Sequence, residues 1–280
     1  METGDPLVSA EWLIENISAP DIRVVDATWV PPFLVGRKSG REAYPECHIP
    51  NAVFFDIETV ADASSDLPHM LPDAVQFSSQ VRKLGLGDGN RLIIYDNNGF
   101  YASARVWWMF RAMGHRDVKV LDGGLAAWIA AGGETEDLPP APVIRHYTAR
   151  ARADLVRDKA QVQSIVKDKR TQILDARARD RFDGTAPEPR PELPSGHIPG
   201  SVCTPASGLI GPDGKLKTSE ELKEQLGSYA NQPVVATCGS GVSAAVIALA
   251  LARIGNWDVA VYDGSWSEWA ADPDSEIATA

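Results

Sequence analysis

One cysteine stands where a nucleophile would be placed. Residues 234 to 245 read Val-Val-Ala-Thr-Cys-Gly-Ser-Gly-Val-Ser-Ala-Ala. The uninterrupted run Val234–Thr237 suits a strand buried on both faces. Cys238–Gly241 is a glycine-containing loop, and Val242–Ile254 is helical, closed by Gly255 at the C-cap position. That order puts Cys238 at the carboxyl end of a parallel strand and just before a helix amino terminus, where open α/β sheets bind ligands. Backbone N–H groups of residues 239 to 244 can converge on the sulfur, and the helix dipole adds positive potential. Glycines at 239 and 241 let the backbone curl tightly around an anion. The sulfur is therefore expected to be reactive near neutral pH, and its chemistry to be covalent. An isolated cysteine is more commonly inert and buried; the strand-end position and the Gly-Ser-Gly turn favour the nucleophile.

The elements that must hold this loop occur twice. Arg23-Val24-Val25-Asp26-Ala27 is matched by Gln172-Ile173-Leu174-Asp175-Ala176, and His48-Ile49-Pro50 by His197-Ile198-Pro199 at the same spacing. Downstream, in a slightly shorter register, Leu121-Asp122-Gly123-Gly124 with Trp128 is matched by Tyr262-Asp263-Gly264-Ser265 with Trp269. Gly114 and Gly255, each closing a helical run, share that register. Landmarks in one order imply a duplicated domain. The place of Cys238 is taken in the first copy by Asp96, so only the second copy carries the thiol.

Strands are expected over Ile22–Val25, Ala52–Phe55, Leu92–Tyr95 and Val118–Leu121, and again over Ile173–Leu174, Ser201–Cys203, Val234–Thr237 and Ala260–Tyr262. Helix starts are signalled by Asp73-x-x-Gln76 and Thr218-x-x-Glu221. The expected architecture is α/β, each copy a mainly parallel sheet flanked by helices. The expected boundaries are 1–137 for the first domain and 153–280 for the second. Between them, 138–152 forms an extended connector rich in proline.

A chain of 280 residues with 44% hydrophobic and 23% charged residues accommodates two globular domains. The net charge of -11 argues against a general nucleic-acid or anionic-membrane surface, while leaving room for a small basic pocket. The richest apolar stretch, 242–254, is too short to span a bilayer. The first residues, Met-Glu-Thr-Gly-Asp-Pro, lack the basic and apolar regions of a secretory signal, so the cytoplasm is expected. Three cysteines at no repeating spacing suggest neither a disulfide framework nor a zinc site.

Cys238 to Ala244 resembles the active-site loop of the tandem-domain rhodanese family, and within it the 3-mercaptopyruvate sulfurtransferases. The likeness covers nearly the whole chain. It includes the His-Ile-Pro pair, Arg105-Val106-Trp107-Trp108-Met109-Phe110-Arg111, the Leu-Asp-Gly-Gly segment, and Arg181-Phe182-x-Gly184-Thr185-x-Pro187-Glu188-Pro189-Arg190. Thiosulfate-preferring members typically carry two basic residues directly after the cysteine, where this chain has Gly239 and Ser240. The mercaptopyruvate loop usually reads Val-Thr-Ala where Val242-Ser243-Ala244 stands, which keeps the hydroxyl.

The resemblance implies a two-step transfer. A small-molecule donor gives its sulfur to Cys238, a persulfide forms, and a thiol acceptor, thioredoxin at the family level, or cyanide removes the outer sulfur. It implies Gly239, Gly241, Val242, Ser243 and Ala244 as the persulfide loop, Arg181 and Arg190 as substrate cations, and no metal or organic cofactor. A proton relay of Ser240, His69 and an acid is implied too. Glu58 matches the acid's position, with Asp56 a rival.

Other residues have plainer expectations. His48 and His197, repeated in both copies, suit turns that bond backbone, Cys47 and Cys203 lack a reactive setting, and Trp107, Trp108, Trp128 and Trp269 read as core. A cysteine phosphatase would need an arginine six residues after Cys238, where Ala244 stands. A thiosulfate:cyanide sulfurtransferase would share the chemistry but lacks its loop cations here. A passive persulfide carrier would need no substrate clamp.

Overall fold

The computed structural model describes residues 4–31, 34 and 36–280. The first domain comprises β1 (Leu7–Val8), α1 (Ala10–Asn16), β2 (Ile22–Asp26), α2 (Gly40–Ala43), β3 (Val53–Phe54), α3 (Ala74–Lys83), β4 (Arg91–Tyr95), α4 (Ser103–Ala112), β5 (Val118–Leu121) and α5 (Gly124–Ala130). The second comprises β6 (Val156–Arg157), α6 (Lys159–Asp168), β7 (Gln172–Asp175), α7 (Arg179–Phe182), β8 (Val202–Cys203), α8 (Ser219–Leu226), β9 (Val234–Thr237), α9 (Ala244–Arg253), β10 (Ala260–Tyr262) and α10 (Ser265–Trp269). Each forms a five-stranded sheet, ordered β1-β5-β4-β2-β3 and β6-β10-β9-β7-β8, with every pairing parallel.

The expected strands all occur, with ends shifted by a residue or so. Their uninterrupted apolar runs follow from burial on both faces: Val24 and Ile93 enter one core while Val25, Leu92 and Ile94 enter another. Two of the four edge strands, β1 and β6, two residues each, were not expected from the sequence. Thr218 and Glu221 complete a reciprocal capping box on α8. Asp73 caps α3 by accepting from Val75 N and Gln76 N.

One core runs through both domains because α4, buried along its whole length, and α9, buried up to Ala252, pack against each other. A helix apolar all round must be enclosed, and here each domain encloses the other's. Both helices begin directly after the equivalent loops, Asp96–Ala102 and Cys238–Ser243, so the domain interface also brings these loops together. His48 and His197 place Nδ1 2.7 Å from Tyr44 O and 2.8 Å from Phe182 O. Trp107, Trp108, Trp128 and Trp269 are buried.

Candidate active site

Cys238 follows the central strand β9 and is buried, 2% exposed. The chain that follows β10 fixes its loop. Trp266 N donates to Cys238 O at 3.0 Å, and Ser267 N and Oγ donate to Gly239 O at 2.9 and 2.7 Å. Cys238 N donates to Ser265 Oγ at 3.2 Å. With those carbonyls held by α10, the N–H groups of residues 239 to 244 are left with no acceptor among the described residues. Helix α9 begins at Ala244, two residues later than expected, because Gly241 takes a left-handed turn (φ 77) that extends the loop.

The first copy shows what such a loop holds. Asp96 occupies the position of Cys238, and its carboxylate accepts from Asn98 N, Phe100 N, Ala102 N and Ser103 N at 3.3, 3.0, 3.1 and 2.8 Å. Leu125 N donates to Asp96 O at 3.0 Å, as Trp266 N does to Cys238 O. The scaffold is the same. In one copy an anionic side chain fills the cradle, and in the other the cradle surrounds a sulfur.

Cys238 opens into a cleft of about 300 Å³ lined also by Trp29, Tyr101, Arg181, Pro189, Arg190, Gly239, Ser240, Val242 and Ser243. Gly241 and Ala244 shape the loop from behind and do not line the cleft. Arg181 is held through Nε and NH2 by Glu188, which also pairs with the buried Arg177 at 3.0 Å; Arg177 in turn pairs with Asp175 at 2.6 Å. Replacing Glu188 with Gln leaves Arg177 and Arg181 facing each other with less compensation. That substitution is expected to cost about 2–4 kcal/mol, seen as a lower urea midpoint at unchanged m-value. By contrast, the Arg190 guanidinium has no hydrogen bond or ion pair among the described residues. It is an unspent cation in the cleft that Cys238 opens into.

His69 and Glu58 do not line the cleft but both touch Trp29, which does. His69 is buried, with Nδ1 3.3 Å from Glu58 Oε2, and its ring meets Trp29 edge-on at 4.8 Å between centroids. Trp29 Nε1 donates to Glu58 Oε1 at 2.7 Å. Contact with His69 holds the Glu58 carboxyl below the usual carboxylate range, with Trp29 and the charge of Arg190 helping and partial burial opposing. A depressed value means that Glu58 contributes stability fully above the ordinary value of 4.5 and loses it as pH falls through the folded value. Asp56 instead pairs with Arg41 at 2.6 Å and bonds Glu58 N, so the carboxylate beside His69 is Glu58. No hydrogen bond joins His69 to Ser240 among the described residues.

Two lining residues were not expected from the sequence: Trp29 and Tyr101, both from the first domain. Burial, and then the nearness of Cys238, push the Tyr101 phenol up, so it stays a hydrogen-bond donor. The available signal was Tyr101's place in the first copy's loop, just before α4. Cys203 is buried at a sheet edge, and burial pushes its thiol up. Among the described residues no cluster could hold a metal ion, and no helix is long and apolar enough to cross a membrane.

The rhodanese-like domain family matches residues 9–131 and 158–272. The chain is 38% identical over 301 residues to thiosulfate/3-mercaptopyruvate sulfurtransferase 1, mitochondrial, of Arabidopsis thaliana, covering 99% of this chain and 79% of that protein. It is 39% identical to human 3-mercaptopyruvate sulfurtransferase, over 94% of this chain and 91% of the human protein. The crystal structure of SseA from Escherichia coli, described as a 3-mercaptopyruvate sulfotransferase, superposes with a TM-score of 0.85 at 36% identity, covering 94% of this chain and 99% of SseA.

Proposed function

The chain belongs to the rhodanese family by both of its domains and is a sulfurtransferase, and we propose that it takes sulfur from 3-mercaptopyruvate through a persulfide on Cys238. The observation that carries this donor is the distribution of charge in the cleft. The cations Arg181 and Arg190 line the cleft, while the loop that holds the sulfur adds none at Gly239 and Ser240. A Cβ at Gly239 would lie 3.3 Å from Arg181 NH2, so a basic side chain there would crowd a like charge. A donor with one carboxylate and a neutral ketone fits that asymmetry.

The Cys238 thiolate attacks the donor sulfur, forming an S–S bond as the S–C bond breaks. The electron pair leaves on the pyruvate enolate. Loss of the proton from the new persulfide and protonation of the enolate carbon complete the half-reaction, giving Cys238–S–S⁻ and pyruvate without any external redox partner. The loop's free N–H groups stabilise the terminal sulfur. Arg190, and Arg181 as held by Glu188, bind the carboxylate. Ser240 in the cleft and the His69–Glu58 pair, which no hydrogen bond joins to Ser240 among the described residues, are the groups assigned to the proton relay, with Glu58 keeping the imidazole oriented. A thiol such as thioredoxin, or cyanide, then attacks the outer sulfur and returns the thiolate. Three cysteines without disulfides support a reducing compartment, the cytoplasm in this reading.

The test is kcat/KM for 3-mercaptopyruvate and for thiosulfate with one dithiol acceptor. The mercaptopyruvate value is expected to be higher; the reverse order overturns the donor assignment. Arg190→Ala is expected to raise KM for mercaptopyruvate about tenfold or more with a smaller change in kcat. An unchanged KM returns Arg190 to the solvent.

A further inference from the structure

One guanidinium joins the two halves of the site. Arg105, on α4 of the first domain, is fully buried and lies over the Trp108 ring at 4.5 Å. Its NH1 is 2.5 Å from Asp263 Oδ1 and 3.2 Å from Gly241 O, both in the second domain. Its NH2 donates to His69 O at 2.5 Å, and Asp263 Oδ2 accepts from Leu71 N at 2.7 Å. The pair therefore grips the backbone on either side of Met70 and the cradle residue Gly241 at once. His69 and Gly241 are both left-handed, with φ of 60 and 77, and histidine holds that conformation only where its surroundings impose it. Gly241 has no room for a Cβ, which would lie 2.7 Å from Asp263 O and 3.1 Å from Arg105 NH1.

The duplication supplies a control. Asp122, equivalent to Asp263, accepts from Leu216 N of the other domain at 2.9 Å, and Arg253 lies 3.8 Å from Asp122 while donating to Leu216 O and Lys217 O. This second clasp is longer and partly exposed, and it grips Leu216 and Lys217, which belong neither to the Cys238 loop nor to the His69 segment. Since a buried ion pair is weak as a source of stability, the tight geometry of the first clasp points to a positioning role. We propose that the Arg105–Asp263 pair is the device that sets His69 against the Cys238 cradle, coupling the proton-handling half of the site in one domain to the sulfur-handling half in the other. The inference rests on the His69 relay proposed above.

The experiment is a double-mutant cycle on 3-mercaptopyruvate turnover, with active sites counted by thiol titration of Cys238. Asp263→Asn, which keeps shape and removes charge, is expected to lower kcat about tenfold or more with little change in KM. The double variant Asp263→Asn/His69→Ala is expected to be no slower than His69→Ala alone, because the loss already runs through the histidine. Asp122→Asn is expected to leave kcat unchanged. Arg105→Lys serves as a second entry to the cycle should Asp263→Asn fold poorly. Wild-type kcat in Asp263→Asn, or fully additive losses in the double variant, overturns the positioning role while leaving the relay intact. Wild-type kcat in His69→Ala overturns the relay itself, and the inference with it.

Discussion

Cys238→Ser is expected to lower sulfur transfer from either donor by about a thousandfold or more, with no persulfide detected by mass spectrometry after exposure to donor. Serine keeps the size of the side chain and the bonds to Ser265, Trp266 and Ser267, which all involve the backbone of residues 238 and 239. What it loses is the polarisable sulfur nucleophile able to form a bond to the donor sulfur. The variant therefore isolates chemistry from architecture. Persisting single-turnover release of pyruvate would remove Cys238 from the mechanism.

His69→Ala is expected to slow turnover with 3-mercaptopyruvate by about a hundredfold or more, and to slow thiosulfate turnover far less. The difference lies in the leaving groups. Sulfite departs as a stable oxyanion, whereas the pyruvate enolate must gain a proton at carbon before it is committed to leaving. Equal slowing with both donors would mean that His69 supports the fold of the cleft, through its edge contact with Trp29, and does not handle a proton.

The domain pattern and the strand-end position of Cys238 were readable in the sequence for the same reason. Strands covered on both faces are written as unbroken apolar runs, and β4 and β9 end just before Asp96 and Cys238, where the run gives way to a glycine loop. The edge strands β1 and β6 left no trace, whereas β3 and β8, equally short at the opposite edges, fell inside the expected strands Ala52–Phe55 and Ser201–Cys203. Glu58 and Asp56 could not be separated by spacing; the separation comes from Arg41, which occupies Asp56. Trp29 and Tyr101 escaped because they approach Cys238 only through the packing of α4 on α9. Arg105 and Asp263 each sat in a recognised motif, yet their pairing crosses the interface and has no spacing to betray it.

The carboxylate of Asp96 has a consequence for how the two loops age and fail. A ring of N–H donors without an anion is an internally frustrated object, and the first domain has cured that frustration covalently, by growing the anion from its own backbone. That loop is complete the moment the chain folds and gains nothing from solution. Its twin around Cys238 has no such anion of its own, so its firmness is expected to depend on what it holds. Charging the enzyme with sulfur should rigidify one domain and leave the other untouched, so that fuel state is written into mechanical state on one side only.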